Sequence, residues 1–451
     1  MFENKKIFIL GMARSGYEAA KLLSQYNNRI VLNDGNENQD ENHIKELKDL
    51  GVSIILGEHP DEIFDKSFDY LIKNPGIKDT HKYVEFAKKH NIKVINEVEM
   101  AYHFLPKNIQ LIGITGTNGK TTTTTLIYEI LKKANKNVKM AGNMGYPLSS
   151  FIGKIKDNDY LVMEISIQQL TNFIDFKTNI SVLTNISEAH IDHVGSYENY
   201  KNIKKRIFNH HTKKDIAIIN KNDKESLSIT DDINSNKLYF SSKEENTDAY
   251  IKNNAIYYKN EKIIDTKDIK LVGTHNYENI MCAICVAKNL NIENKYINEV
   301  LETFTGVEHR LEFVKKINER SFYNDSKATN NKSTMIALSA FKSSTIILMG
   351  GLDRGQSFDE LAPYMDNVKY VITYGETKHK IKEFCEKINK KCTVVDNLEE
   401  ATTLAYNLSE EEDIILLSPA CASWDQYKKF EDRGEAFKKY IDEIERIEIN
   451  A

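Results

Sequence analysis

The sequence predicts an α/β protein of three domains, each built on a mostly parallel sheet with flanking helices. Rossmann-like domains are expected at the two ends, around a phosphate-loop ATPase-like centre. Three observations predict this. Short apolar strands alternate with amphipathic helices along the chain. The residues just past the strands' C-terminal ends are glycine-bearing or chemically loaded, and open parallel sheets bind ligands there. Finally, residues 109–125 pass from an apolar strand through Gly116-Thr-Asn-Gly-Lys-Thr121 into a helix. Backbone N–H groups of such a turn, backed by a helix N-terminus, cradle phosphate. Lys120 then reaches the outer phosphates and the Thr121 hydroxyl can ligate Mg²⁺. The spacing departs from the strict phosphate loop, because position 114 is Ile where that loop needs Gly.

The elements follow in order. In the first domain (1–98) the strand ending at Leu10 leads to Gly11-Met-Ala-Arg-Ser-Gly16, a dinucleotide-type turn with Ala13 in place of the middle glycine. A second strand leads to Asn33-Asp34-Gly35, with Asp34 where a ribose-binding acid would stand, and a third to Lys73-Asn-Pro-Gly76. A nucleotide-like ligand and a purely structural turn both fit this domain. Leu105-Pro106-Lys107-Asn108 separates a helix from the strand before the phosphate loop. The central domain (99–305) carries Glu164 and Ser166 after one strand and Thr184 to His190 after another. Glu164, His190 and Thr121 suggest a metal–phosphate site, whereas Asp192 and His193 are expected to shape a turn. Residues 221–270 are polar with short alternating runs and read as a small antiparallel β insertion. The third domain (306–451) presents His309-Arg310, Asp325-Ser-Lys327-Ala-Thr329, Gly350-Gly-Leu-Asp-Arg354 and Ser418-Pro-Ala-Cys-Ala-Ser423 at its strand ends.

Composition narrows the class. With 451 residues, two or three domains are expected. Sixty-one Lys plus Arg stand against 66 Asp plus Glu, so no excess of positive charge exists to concentrate nucleic acid. No apolar run approaches membrane-spanning length, so no membrane insertion is expected. The five cysteines do not make a disulfide framework, and Cys282 and Cys285 lie at helical spacing among apolar residues, which predicts packing rather than a zinc or redox site. Without a signal-peptide pattern after Lys5-Lys6, a cytoplasmic protein is expected.

Gly116-Thr-Asn-Gly-Lys-Thr121, Glu164-x-Ser166, Asn185 with Glu188-Ala-His190-x-Asp192, His309-Arg310 and Asp325-Ser-Lys327-Ala-Thr329 occur together in the order found in the Mur ligases. The chain resembles that family of ATP-dependent amide-bond ligases over essentially its whole length. Its ending, Ser418-Pro-Ala-Cys-Ala-Ser423 with Phe430-Glu-Asp-Arg-Gly434, looks like that of the D-glutamate-adding member. The Asp-Asn-Pro-Arg motif of lysine- or diaminopimelate-adding members is absent.

The resemblance implies that Gly116, Thr117, Asn118, Gly119, Lys120, Thr121 and Thr122 hold ATP, with Asn276 and Asn279 near adenine. Arg310 and Asp325 would contact ATP from the third domain, with Lys327 close to the transferred phosphate. Two Mg²⁺ ions, replaceable by Mn²⁺, would be held by Thr121, Glu164, His190 and a carbamylated Lys204, for which Lys205 is a competing assignment. Gly11, Ala13, Arg14, Ser15, Asp34, Gly35, Asn74, Pro75, Gly76 and Asn143 would hold a UDP-sugar, UDP-N-acetylmuramoyl-L-alanine. Thr329, Arg354, Ser423, Trp424 and Phe430 would frame D-glutamate, with the third domain closing over the site of a monomer. Three departures from the family pattern stand out: Ile167 and Gln168 beside Glu164, His193 beside Asp192, and Arg354 where some members have lysine. A ligase for another amino acid, a folate-extending ligase and a phosphate-loop switch are the alternatives.

Overall fold

The computed structural model describes residues 1–187, 194–271, 273 and 276–450. It divides into two compact units, Met1–Lys270 with Thr274–Phe304, and Leu271–Gly273 with Thr305–Ala451. The first unit contains two sheets and the second contains one.

The first sheet runs in the order β3 (Ser53–Leu56), β2 (Arg29–Asp34), β1 (Lys6–Leu10), β4 (Tyr70–Lys73), β5 (Lys93–Ile95), all parallel. The central strands β1 and β4 are buried along nearly their whole length, as strands covered on both faces are. The order reverses at β1, so a crevice opens between the ends of β1 and β4. Gly11 at φ +96° turns the chain there, and a Cβ on it would lie 2.7 Å from the Asn74 Cβ. A Cβ on Gly16 would lie 1.9 Å from the Gly11 carbonyl oxygen, so both glycines permit close backbone approach.

The second sheet is ordered β14-β13-β12-β11-β10-β9-β6-β8-β7. Its strands are β6 (Gln110–Thr115), β7 (Val138–Gly142), β8 (Tyr160–Glu164), β9 (Ile180–Leu183), β10 (Ile216–Asn220), β11 (Asn236–Ser241), β12 (Ala249–Lys252), β13 (Ala255–Tyr258) and β14 (Glu261–Asp265). Pairing is parallel from β7 to β12 and antiparallel from β12 to β14. The antiparallel element expected within 221–270 is therefore confined to 249–265, and it extends the edge of the main sheet rather than forming a separate insertion. β12 pairs in parallel with β11 through backbone bonds that side-chain alternation does not report. The helix Lys120–Lys133 packs its Leu126, Ile127, Ile130 and Leu131 into the core, each fully buried and contributing about 1.5–3 kcal/mol. Lys132 and Lys133 complement its C-terminal dipole, and left-handed Asn135 follows its end. Cys282 and Cys285 are buried in the helix Asn276–Asn289, as their spacing predicts.

The third sheet has the order β15-β16-β20-β17-β18-β19 and is parallel apart from the β15–β16 pair. Its strands are β15 (Glu312–Ile317), β16 (Arg320–Asn324), β17 (Thr345–Gly350), β18 (Val368–Tyr374), β19 (Cys392–Val394) and β20 (Ile414–Leu417). Leu417 is in register with both Asn324 and Leu348, so the loops after β16, β17 and β20 emerge together. Among the described residues no helix is long and apolar enough to cross a membrane.

Candidate active site

The phosphate loop leaves β6 where its neighbours β8 and β9 end. Gly116 sits at φ +147°, with Thr184 Oγ1 only 1.9 Å from where a Cβ would be. Gly119, at φ +79°, meets Asn279 Oδ1 at 2.1 Å in the same sense. Side chains are excluded at both positions, leaving backbone N–H groups and the helix N-terminus to line the turn. Asn185 fixes the loop from β9: its Oδ1 accepts from Asn118 N–H at 3.0 Å, and its carbonyl accepts from Thr117 N–H at 2.9 Å. Lys120 folds back so that Nζ donates to the carbonyls of Gly116 (3.0 Å) and Thr117 (2.8 Å). Thr122 is partly exposed in the first helical turn. Asn276 and Asn279 form a linked pair at 2.9 Å, joined through Asn279 Oδ1 to Thr123 Oγ1 at 3.3 Å.

Glu164 ends β8 and is buried. Thr121 Oγ1 donates to its Oε2 at 2.7 Å and Asn143 Nδ2 to its Oε1 at 2.6 Å. Ile167 and Ser166 start a short helix through a capping box with Gln169, which fixes the backbone beside Glu164. This hydroxyl–carboxylate pair offers hard oxygen donors next to a phosphate cradle, a donor set that fits Mg²⁺. His190, with Glu188, Asp192, His193 and His275, lies outside the described residues.

Lys204 and Lys205 are distinguished. Lys204 is 1% exposed, and its Nζ donates to Thr115 Oγ1 at 3.0 Å and to the Gly116 carbonyl at 2.9 Å. Lys205 points outward and pairs with Asp232 at 2.6 Å. Burial first, and then the charge of Lys120, push the Lys204 amine well below the ordinary lysine range, opposed by Glu164. Among the described residues no carboxylate lies within ion-pair distance of Lys204. Tyr200, on the same helix, hydrogen-bonds Thr117 Oγ1 at 2.9 Å.

A second region of the same unit is a cavity of about 340 Å³ lined by Ala13, Arg14, Ser15, Asn74, Pro75, Gly76 and Asn143, among others. The helix Arg14–Leu23 opens into it without a side-chain cap. Asn74 Nδ2 donates to Ser15 Oγ at 3.0 Å. Gly11, Asp34 and Gly35 support this region without lining the cavity. Asp34 accepts from Met12 N–H at 2.7 Å and Asn36 N–H at 2.8 Å, and Gly35 faces the ring of His59. Buried Lys73 pairs with Asp79 at 2.6 Å and shapes the 74–79 loop, a contact that sequence alone did not single out.

In the second unit, Asp325 is buried and accepts from Ser418 Oγ at 2.8 Å and Leu311 N–H at 3.2 Å. Burial pushes its carboxyl up to about 7 against the opposing pull of Ser418 and Arg310. Lys327 lies with Nζ 5.8 Å from the Phe430 ring centre, and its N–H donates to the His309 carbonyl at 3.0 Å. Thr329, partly exposed, follows on the same loop. Ser423 is buried and its Oγ has no hydrogen-bond partner among the described residues, while neighbouring Trp424 is 63% exposed. Arg354 stacks on Trp424 with its guanidinium carbon 4.7 Å from the ring centre.

A phosphate cradle, a hydroxyl–carboxylate pair and a buried lysine at the strand ends of the second sheet define a nucleotide-using enzyme. The chain belongs to the Mur ligase family of ATP-dependent amide-bond-forming ligases. Residues 114–287 match the Mur ligase middle domain and residues 309–421 the Mur ligase, glutamate ligase domain. It is 46% identical over 440 residues to UDP-N-acetylmuramoylalanine–D-glutamate ligase of Bacillus pumilus, covering 97% of each chain. Against the enzyme of that name from Staphylococcus aureus it is 41% identical over 435 residues, covering 96% of each. A solved UDP-N-acetylmuramate-alanine ligase from Thermotoga maritima shares the fold with a TM-score of 0.60 at 17% identity, covering 99% of this chain and 100% of that one.

Proposed function

We propose that this enzyme joins D-glutamate to UDP-N-acetylmuramoyl-L-alanine at the cost of ATP. The observation that carries the reading is the near-complete collinearity with relatives named for that reaction, together with the ligand-ready geometry around Gly116 and Glu164. The alanyl carboxylate attacks the γ-phosphorus of ATP, giving an acyl phosphate and ADP. The D-glutamate amine then attacks that carbonyl, and phosphate leaves as the amide forms. Mg²⁺, when bound by Thr121 and Glu164, neutralises phosphate charge. The loop N–H groups between Gly116 and Lys120 orient the triphosphate, and Lys120 Nζ exchanges its two carbonyl contacts for phosphate oxygens. The cavity by the Arg14–Leu23 helix takes the nucleotide diphosphate at that helix's N-terminus and presents the far end of the substrate toward Asn143. In the second unit, the Arg354 guanidinium supplies donors for a dicarboxylate amino acid.

Phosphate release measured with UDP-N-acetylmuramoyl-L-alanine across a panel of D- and L-amino acids tests the reading. Turnover with D-glutamate alone is expected; turnover with a different amino acid would overturn the substrate assignment and leave the ligase class standing. ATP hydrolysis independent of both acceptor and amino acid would remove the ligase mechanism.

A further inference from the structure

Glu97 lies in the wall of the nucleotide-sugar cavity, 4% exposed. It opens a six-residue helix, Glu97–Tyr102, with Glu99 as the second acidic residue of the first turn. The packing makes it unusual. Both hydrogen bonds to its side chain go to one oxygen: Oε1 accepts from Ser149 N–H at 2.6 Å and from Ser149 Oγ at 2.5 Å. Oε2 accepts from no described residue. Among the described residues it is not one of the fully enclosed polar atoms that lack a partner, so it keeps accessible surface. The carboxyl is anchored by one oxygen and presents the other. Burial pushes its pKa up to about 7 against the lowering pull of the Ser149 bonds.

What Oε2 receives follows from the charges around the cavity. The substrate assigned above is anionic at both ends, with a diphosphate at the Ala13–Ser15 end and a carboxylate toward Asn143. An acceptor oxygen would repel either end at contact distance. Between them lies a neutral stretch with O–H and N–H donors, the sugar with its hydroxyls and acetamido group. A buried acceptor left without such a donor is costly, so the pairing selects for its presence. Resting on the proposed substrate, we infer that Glu97 is a specificity-determining residue that accepts a hydrogen bond through Oε2 from an O–H or N–H of the N-acetylmuramoyl sugar, with Ser149 fixing its orientation.

The test compares two probes, UDP-N-acetylmuramoyl-L-alanine and UDP, binding to the full-length wild type and to Glu97→Gln by calorimetry. The amide preserves an acceptor for Ser149 and places an N–H donor where Oε2 accepted. Binding of the full nucleotide-sugar is expected to weaken about 10- to 100-fold, UDP binding to stay unchanged, and KM for the nucleotide-sugar to rise while kcat holds. Glu97→Ala, checked for an unchanged unfolding profile, should reproduce the split. Equal losses for both probes would make Glu97 merely structural and overturn the inference, as would unchanged binding of the nucleotide-sugar to either variant. If the wild type binds UDP but not the nucleotide-sugar, the substrate reading falls first and the inference with it.

Discussion

The Lys204 amine nitrogen lies 2.9 Å from the carbonyl oxygen of Gly116, across 88 residues of chain. A lysine placed there, beside Lys120 and out of water, is disfavoured as a cation. A neutral amine is the form that adds to CO₂, its nitrogen bonding carbon as a proton leaves, to give an anionic carbamate.

Lys204→Met follows from this. A lysine with a depressed folded pKa binds fewer protons folded than unfolded from that pKa up to 10.5, so stability contributed by the site rises with pH there and is penalised at and below neutrality. Removing the amine lifts the penalty. We expect turnover to fall by at least about 100-fold while the thermal midpoint holds or rises by about 2–4 °C. Calorimetry beside a phosphate-release assay checks both, and a lower midpoint with retained turnover would contradict the account.

Glu164→Gln replaces an oxygen that accepts from Thr121 or Asn143 with a donor. One of those buried donors then loses its acceptor, at a cost of about 1–3 kcal/mol. The Mg²⁺ concentration for half-maximal activity should rise about 10- to 100-fold, read from a titration at saturating ATP.

Asp325 gives a pH signature. Its carboxyl is raised from 3.8 to about 7 in the folded chain, so the folded form binds more protons than the unfolded between those values. Stability therefore falls as pH rises through this window. Asp325→Asn should raise stability at pH 8 by on the order of 1–4 kcal/mol, seen as a higher thermal midpoint, and change it little at pH 4. Equal effects at the two pH values would argue against the assignment.

Ser423→Ala removes a buried hydroxyl that has no partner among the described residues. The midpoint should not drop, because no hydrogen bond is lost. The enclosed hydroxyl presents no surface to a ligand, so KM for D-glutamate should change less than about 3-fold. Steady-state kinetics with D-glutamate varied supplies the measurement.

The strand-end loops were legible because parallel sheets force ligands to one edge, so Gly116, Glu164 and Asp325 could be found from strand pattern and residue type alone. Lys204 and Lys205 could not be separated by sequence, since adjacent positions on a helix differ by about 100° and only packing decides which faces the loop. Glu97 escaped for a related reason. Its burial depends on a segment 52 residues away, and an acidic residue in a first helical turn ordinarily needs no further explanation. The edge β12–β14 was recognisable as β but not as part of the main sheet, because backbone pairing leaves no side-chain record.

Asn143 occupies two places at once. It lines the nucleotide-sugar cavity, and it holds Glu164 twice, through its backbone N–H on the Glu164 carbonyl at 2.8 Å and its side-chain amide on Oε1. A substrate that drew this amide toward itself would release a lone pair of Glu164 for an incoming ion. Occupancy of the cavity and occupancy of the carboxylate are then thermodynamically linked, and whatever factor the sugar adds to metal affinity, the metal must return to the sugar.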